Sequence, residues 1–86
     1  MYEVWLSHDA QRFYQAADAP LVRRLNRWFD QLRCNPYEHP NIKRLHGKLE
    51  GYFRYRVGNW RVVYQVDEDS HVVTVILIAH RSKVYQ

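Results

Sequence analysis

The chain has 86 residues, 47% of them hydrophobic and 15% aromatic, and a formal net charge of +4. That apolar content excludes disorder, and so short a chain buries only roughly 60–65% of the surface it exposes unfolded, so a single domain over residues 1–86 is expected. The lone cysteine, Cys34, excludes an internal disulfide, and the longest apolar run, residues 72–79 broken by Thr74, is far too short to span a bilayer. The opening MYEVWLSHD lacks a basic segment followed by an apolar one, so a cytoplasmic protein with no membrane partner is expected.

Tyr2, Val4 and Leu6 alternate, which predicts a first strand over residues 2–7. Ser7 is then set to cap a short helix whose apolar side is Ala10, Phe13, Tyr14 and Ala17. Asp18-Ala19-Pro20 interrupts it, and Pro20 suits the first turn of a second helix. In that helix Leu21, Val22, Leu25, Trp28, Phe29 and Leu32 form one stripe, with Arg23, Arg24, Arg27, Asp30 and Gln31 opposite, before Asn35-Pro36 ends it. Cys34, following the stripe, reads as a small buried residue rather than a nucleophile. Residues 35–50 read mostly as loop, anchored by Ile42, Leu45 and Leu49. Three strands follow, separated by Gly58-Asn59 and by residues 67–71. The expected fold class is α+β: an N-terminal strand, a helical hairpin and a three-stranded antiparallel meander, forming one sheet with helices on one face. The first strand is expected beside the last.

Charge is distributed unevenly. Residues 1–42 hold five basic and five acidic groups, whereas residues 43–66 hold Lys43, Arg44, Lys48, Arg54, Arg56 and Arg61 against Glu50 alone. Ten of the 13 basic residues are arginine, whose planar fork suits phosphate, so a polyanion is the leading partner and a solvated basic face the bland alternative. A two-residue turn at Gly58-Asn59 pairs Val57 with Trp60, Arg56 with Arg61, Tyr55 with Val62 and Arg54 with Val63. One face then holds Phe53, Tyr55, Val57, Trp60, Val62 and Tyr64, and the other Arg54, Arg56, Arg61 and Val63. Directly opposed like charges destabilise a sheet, so an anion explains the cluster better than fold stability does. If Val66 pairs with Val72, the arginine face continues through Val73, Val75, Leu77, Ala79 and Arg81, although one extra paired residue flips that parity. The histidines and Cys34 show no ligand spacing, so neither a metal nor a cofactor is expected. Lys43, Arg44, Lys48, Arg23 and Arg27 are candidate polyanion-binding residues, which would contact RNA if the polyanion is RNA.

The run NIKRLHGKLEGYFRYRVGNWRVVYQV, followed by VVTVILIAHRSKVY, resembles the RelE/ParE superfamily of type II toxin–antitoxin toxins. The spacing of Leu45, Gly47, Leu49, Gly51, Tyr55-Arg56-Val57-Gly58, Arg61-Val62-Val63-Tyr64, His80-Arg81 and Tyr85 carries the resemblance. It implies one of two activities: a RelE-like branch that cleaves mRNA in the ribosomal A site, or a ParE-like branch that poisons DNA gyrase. For the first, it implies catalytic roles for Arg54, Arg56, Arg61, Arg81 and Tyr85. The family commonly carries lysines where this chain has Arg54 and Arg56, and guanidinium does not readily release a proton. Cutting RNA through its own 2′-hydroxyl needs a base, stabilisation of charge on phosphate and help for the leaving oxygen. Tyr85, with an ordinary pKa of about 10, could act as base once surrounding cations lower it, and His80 is the rival. The implied partners are a cognate antitoxin, the ribosome and mRNA, with operator DNA bound only through the antitoxin.

Overall fold

In the computed structural model, residues 1–84 are described. They form β1 (Glu3–Leu6), α1 (His8–Ala16), α2 (Ala19–Cys34), β2 (Ile42–Arg44), a single 3₁₀ turn (Gly47–Leu49), β3 (Phe53–Val57), β4 (Trp60–Asp67), β5 (Val72–His80) and α3 (Arg81–Val84). The strands lie side by side in the order β1-β5-β4-β3-β2, with β1 parallel to β5 and the other pairs antiparallel. The two long helices share one side of this sheet.

Local chemistry sets the helix starts. The Ser7 hydroxyl accepts the Ala10 N–H at 3.2 Å and donates to the Ile76 carbonyl at 3.2 Å, so one side chain caps α1 and ties it to β5. Asp18 caps α2 by accepting the Leu21 N–H at 3.0 Å, with Pro20 in the first turn where a missing N–H costs nothing. The α2 stripe then buries Leu25, Trp28, Phe29 and Leu32 against Tyr55, Val62, Tyr64, Val73, Val75 and Ile78 of the sheet. Each such aliphatic side chain contributes ~1.5–3 kcal/mol when fully buried. Tyr64 is wholly buried, and its hydroxyl donates to the Pro36 carbonyl at 2.6 Å, which pins the loop after α2 to the sheet. Among the described residues, no helix is long and apolar enough to cross a membrane.

The β3–β4 hairpin has the expected register, including Arg56 directly opposite Arg61. Gly58 takes φ of 59°, the positive value that the first central position of a type II′ turn requires. Elsewhere the structure departs from expectation. Residues 42–44 add a short edge strand, β2, where loop was expected, and Leu49 is exposed rather than an anchor. Cys34 is exposed as well, because the α2 stripe ends at Leu32. The largest correction concerns β5. Val66 pairs with Val73, not Val72, so Val73 and Val75 turn into the core and are fully buried. An irregularity then follows: Val63 pairs with Leu77 and Tyr64 with Val75, leaving Ile76 as an extra residue. That bulge flips the alternation back, so Leu77 and Ala79 lie on the arginine side as expected.

Candidate nucleic-acid interface

The register maps the side of the sheet that faces away from α1 and α2. Its rows, read across the strands, are Glu3, Val72 and Asp67; then Trp5, Thr74 and Gln65; then Leu77, Val63, Arg54 and Lys43; and last Ala79, Arg61 and Arg56. Charge therefore changes sign along the strand direction. The basic end gathers Lys43, Arg54, Arg56 and Arg61 from three adjacent strands, and the acidic end gathers Glu3 and Asp67 with Glu68 and Asp69 of the turn.

Among the described residues, a concavity lies at each end of this face. A polar cleft of about 320 Å³ is lined by Pro40, Asn41, Lys43, Arg54, Arg56 and Gly58. Its wall is fixed by backbone pairing, with the Arg56 N–H donating to the Asn41 carbonyl at 3.0 Å. Arg54 is half-buried with its Nε shielded from solvent, whereas Arg56 is exposed. Arginines held by paired strands rather than loops have little freedom to rearrange, which suits fixed recognition of phosphate oxygens. At the acidic end a larger groove of about 720 Å³ runs past Glu3, Trp5, Gln65, Asp67, Glu68 and Asp69.

The remaining candidates scatter. Arg81 opens α3 and is exposed, and its backbone N–H donates to the Asn59 carbonyl at 2.5 Å, which ties the end of β5 to the hairpin turn beside Arg56 and Arg61. His80 lies on the helix side, paired with Trp60 and edge-on to its ring at 5.1 Å. Its Nδ1 accepts the Ser82 N–H at 3.3 Å and sits 3.0 Å from the Ser82 hydroxyl, so the neutral ring carries its proton on Nε2. Arg44 also turns to the helix side, over the Phe53 ring at 5.4 Å. Lys48 is exposed in the 3₁₀ turn, and Arg23 and Arg27 are exposed on α2, across the molecule from the basic cleft. Tyr85 lies outside the described residues. Tyr55 and Tyr64, the tyrosines of β3 and β4, have hydroxyl pKa values pushed up by burial, and both lie on the helix side, away from the basic cleft.

Sequence reading missed the Asn59 carbonyl that holds Arg81 and the acidic groove with its exposed Trp5. It also missed a cluster at the far end of the sheet. There Glu68 accepts the Tyr2 hydroxyl at 2.8 Å and the Tyr37 hydroxyl at 2.5 Å, while His71 stacks on Tyr2 at 4.9 Å. Hydrogen bonds from Tyr37 and Tyr2 hold the Glu68 carboxyl below its ordinary value. Tyr37 is pushed up by burial and by Glu68, and Tyr2 by its bond to Glu68.

With this geometry in hand, comparison with known proteins is direct. Residues 4–85 match the family model described as ParE toxin of type II toxin–antitoxin system. The chain is 38% identical over 80 residues to a Toxin RelE of Mycobacterium tuberculosis, covering 93% of this chain and 77% of the relative. Among solved structures, it superposes on a chain of the M. tuberculosis RelBE2 toxin–antitoxin complex with a TM-score of 0.81 at 25% identity, covering 93% of this chain and 98% of that one. The isolated Escherichia coli RelE toxin shares the fold, with a TM-score of 0.77 at 22% identity over 99% of this chain and 92% of that one. The fold is thus shared with toxins of this group, and the chain belongs to the ParE toxin family, within the RelE/ParE superfamily of type II toxin–antitoxin systems.

Proposed function

We propose that this protein is the toxin of a type II toxin–antitoxin pair and acts as a ribosome-dependent endoribonuclease that cleaves mRNA and stops translation. The observation that carries the reading is the convergence of Lys43, Arg54 and Arg56 on one cleft, with Arg61 beside it, on a sheet face turned away from both helices. A phosphodiester in that cleft meets fixed cations on the oxygens where charge grows. The 2′-hydroxyl loses its proton to a base and attacks the adjacent phosphorus. The bond to the 5′-oxygen breaks, leaving a 2′,3′-cyclic phosphate and a 5′-hydroxyl that takes up a proton. Arg54, Arg56, Arg61 and Arg81 stabilise the charge rather than carry protons, because guanidinium stays protonated. The orientation of His80, with Nδ1 taken by Ser82 and the ring against Trp60, favours Tyr85 as the base.

The complexes of RelE-type relatives with RelB support a cognate antitoxin as this chain's partner, whose acidic side chains would neutralise the basic end. Operator DNA is then met only through that antitoxin, and the setting is the cytoplasm where ribosomes work. A gyrase-directed activity is the second reading, favoured by the ParE name of the matching family model. Primer extension on translated mRNA after induction separates the two. Cuts inside codons support the nuclease, whereas intact transcripts with DNA-damage signalling overturn it in favour of gyrase.

A further inference from the structure

The open sheet face carries its own complement. Four acidic groups, Glu3, Asp67, Glu68 and Asp69, line the groove at one end, and four basic groups, Lys43, Arg54, Arg56 and Arg61, crowd the other. Between them runs an apolar seam of Trp5, 58% exposed, and Leu77, 44% exposed. Both long helices lie on the opposite side, so neither covers this seam.

A two-fold rotation about an axis parallel to the sheet, in front of Leu77 and across the line from acidic to basic end, turns a second copy to face the first with its ends exchanged. Two copies brought face to face in this way set each acidic end over the partner's basic end, with the seams meeting in the middle. That is the requirement for an isologous interface, in which one patch recognises itself. We propose that the free protein pairs with a second copy of itself through this face, forming a two-fold dimer that covers the basic cleft of both subunits. The inference rests on the charge map and the seam, and stands or falls independently of the nuclease reading.

Sedimentation of the purified protein, freed of other chains, tests it. The expected result is a doubled mass at about 50 mM salt that falls to the monomer near 1 M, where the Debye length shrinks to about 3 Å. Asp67→Lys with Asp69→Lys should give a monomer, as should Arg56→Glu with Arg61→Glu, and mixing the two variants should restore a one-to-one dimer. Leu77→Cys in a Cys34→Ser background gives an independent reading, since oxidation should link two copies at low salt and far fewer at high salt. A wild type that stays monomeric at low salt overturns the proposal. So does a dimer surviving both charge reversals, a failure of the folded variants to pair, or a Leu77→Cys protein that does not cross-link.

Discussion

On the helix side of the sheet, Tyr55, Val62 and Tyr64 are sealed beneath α2; one residue along each strand, Arg54, Arg56 and Arg61 face the other way. Period-two alternation thus divides β3 and β4 between two tasks, fold and recognition, without assigning either a segment of its own. The division is energetic as well as spatial. Burial on the helix side stabilises the molecule, while Arg56 opposed to Arg61 costs it stability that no fold needs to lose. A cost of that kind is expected on a surface kept for binding an anion rather than for folding.

Substitutions on the two sides should therefore separate cleanly. Leu25→Ala, at the centre of the buried stripe, should lower unfolding free energy by ~2–5 kcal/mol while leaving cleavage per folded molecule unchanged, measured by denaturant titration beside single-turnover assays. Arg61→Ala should do the reverse, slowing cleavage about 10²–10³-fold, or ~3–4 kcal/mol of transition-state stabilisation, with the melting temperature unchanged or higher. Equal loss of stability in both variants would break the contrast between the two sides. Arg56→Thr sharpens it: removing one of two opposed guanidiniums should raise stability by ~0.2–1 kcal/mol even as activity falls.

The smallest expected effect lies at the acidic end. Because hydrogen bonds from Tyr37 and Tyr2 hold the Glu68 pKa below its unfolded value, the carboxylate contributes stability above that unfolded value, and the contribution is lost as pH falls through the folded one. Tyr37 and Tyr2 are shifted the opposite way, so their contribution is complete below about pH 10 and lost as pH rises through their raised values. Glu68→Gln should lower the middle of a melting-temperature curve slightly and meet the wild type at its acid end, so that the acid limb flattens. An unchanged acid limb would mean that the cluster does not couple to folding.

The hairpin register was readable because a two-residue turn with glycine first admits a single pairing. No such device fixes the β4–β5 connection, where the turn and the extra residue at Ile76 each shift the alternation by one. The shifts cancel beyond Ile76, so Leu77 and Ala79 matched expectation while Val73 and Val75 did not. β2 was hidden by its length, since three residues with only Ile42 buried show no period. The conjunction of Lys43 with Arg54, and of Tyr2, Tyr37 and Glu68, exists only after strands and loops distant in the chain have met.

The parallel pairing of β1 with β5 has a temporal consequence. Glu3–Leu6 bond to Val72–Val75, so the first strand made waits for one made nearly seventy residues later. Contacts that close so long a loop are slow to form. A ribosome synthesising this chain therefore makes Val72–Val75 before β1 can join the sheet, whereas the arginine-bearing β3–β4 hairpin can pair as soon as its own residues emerge.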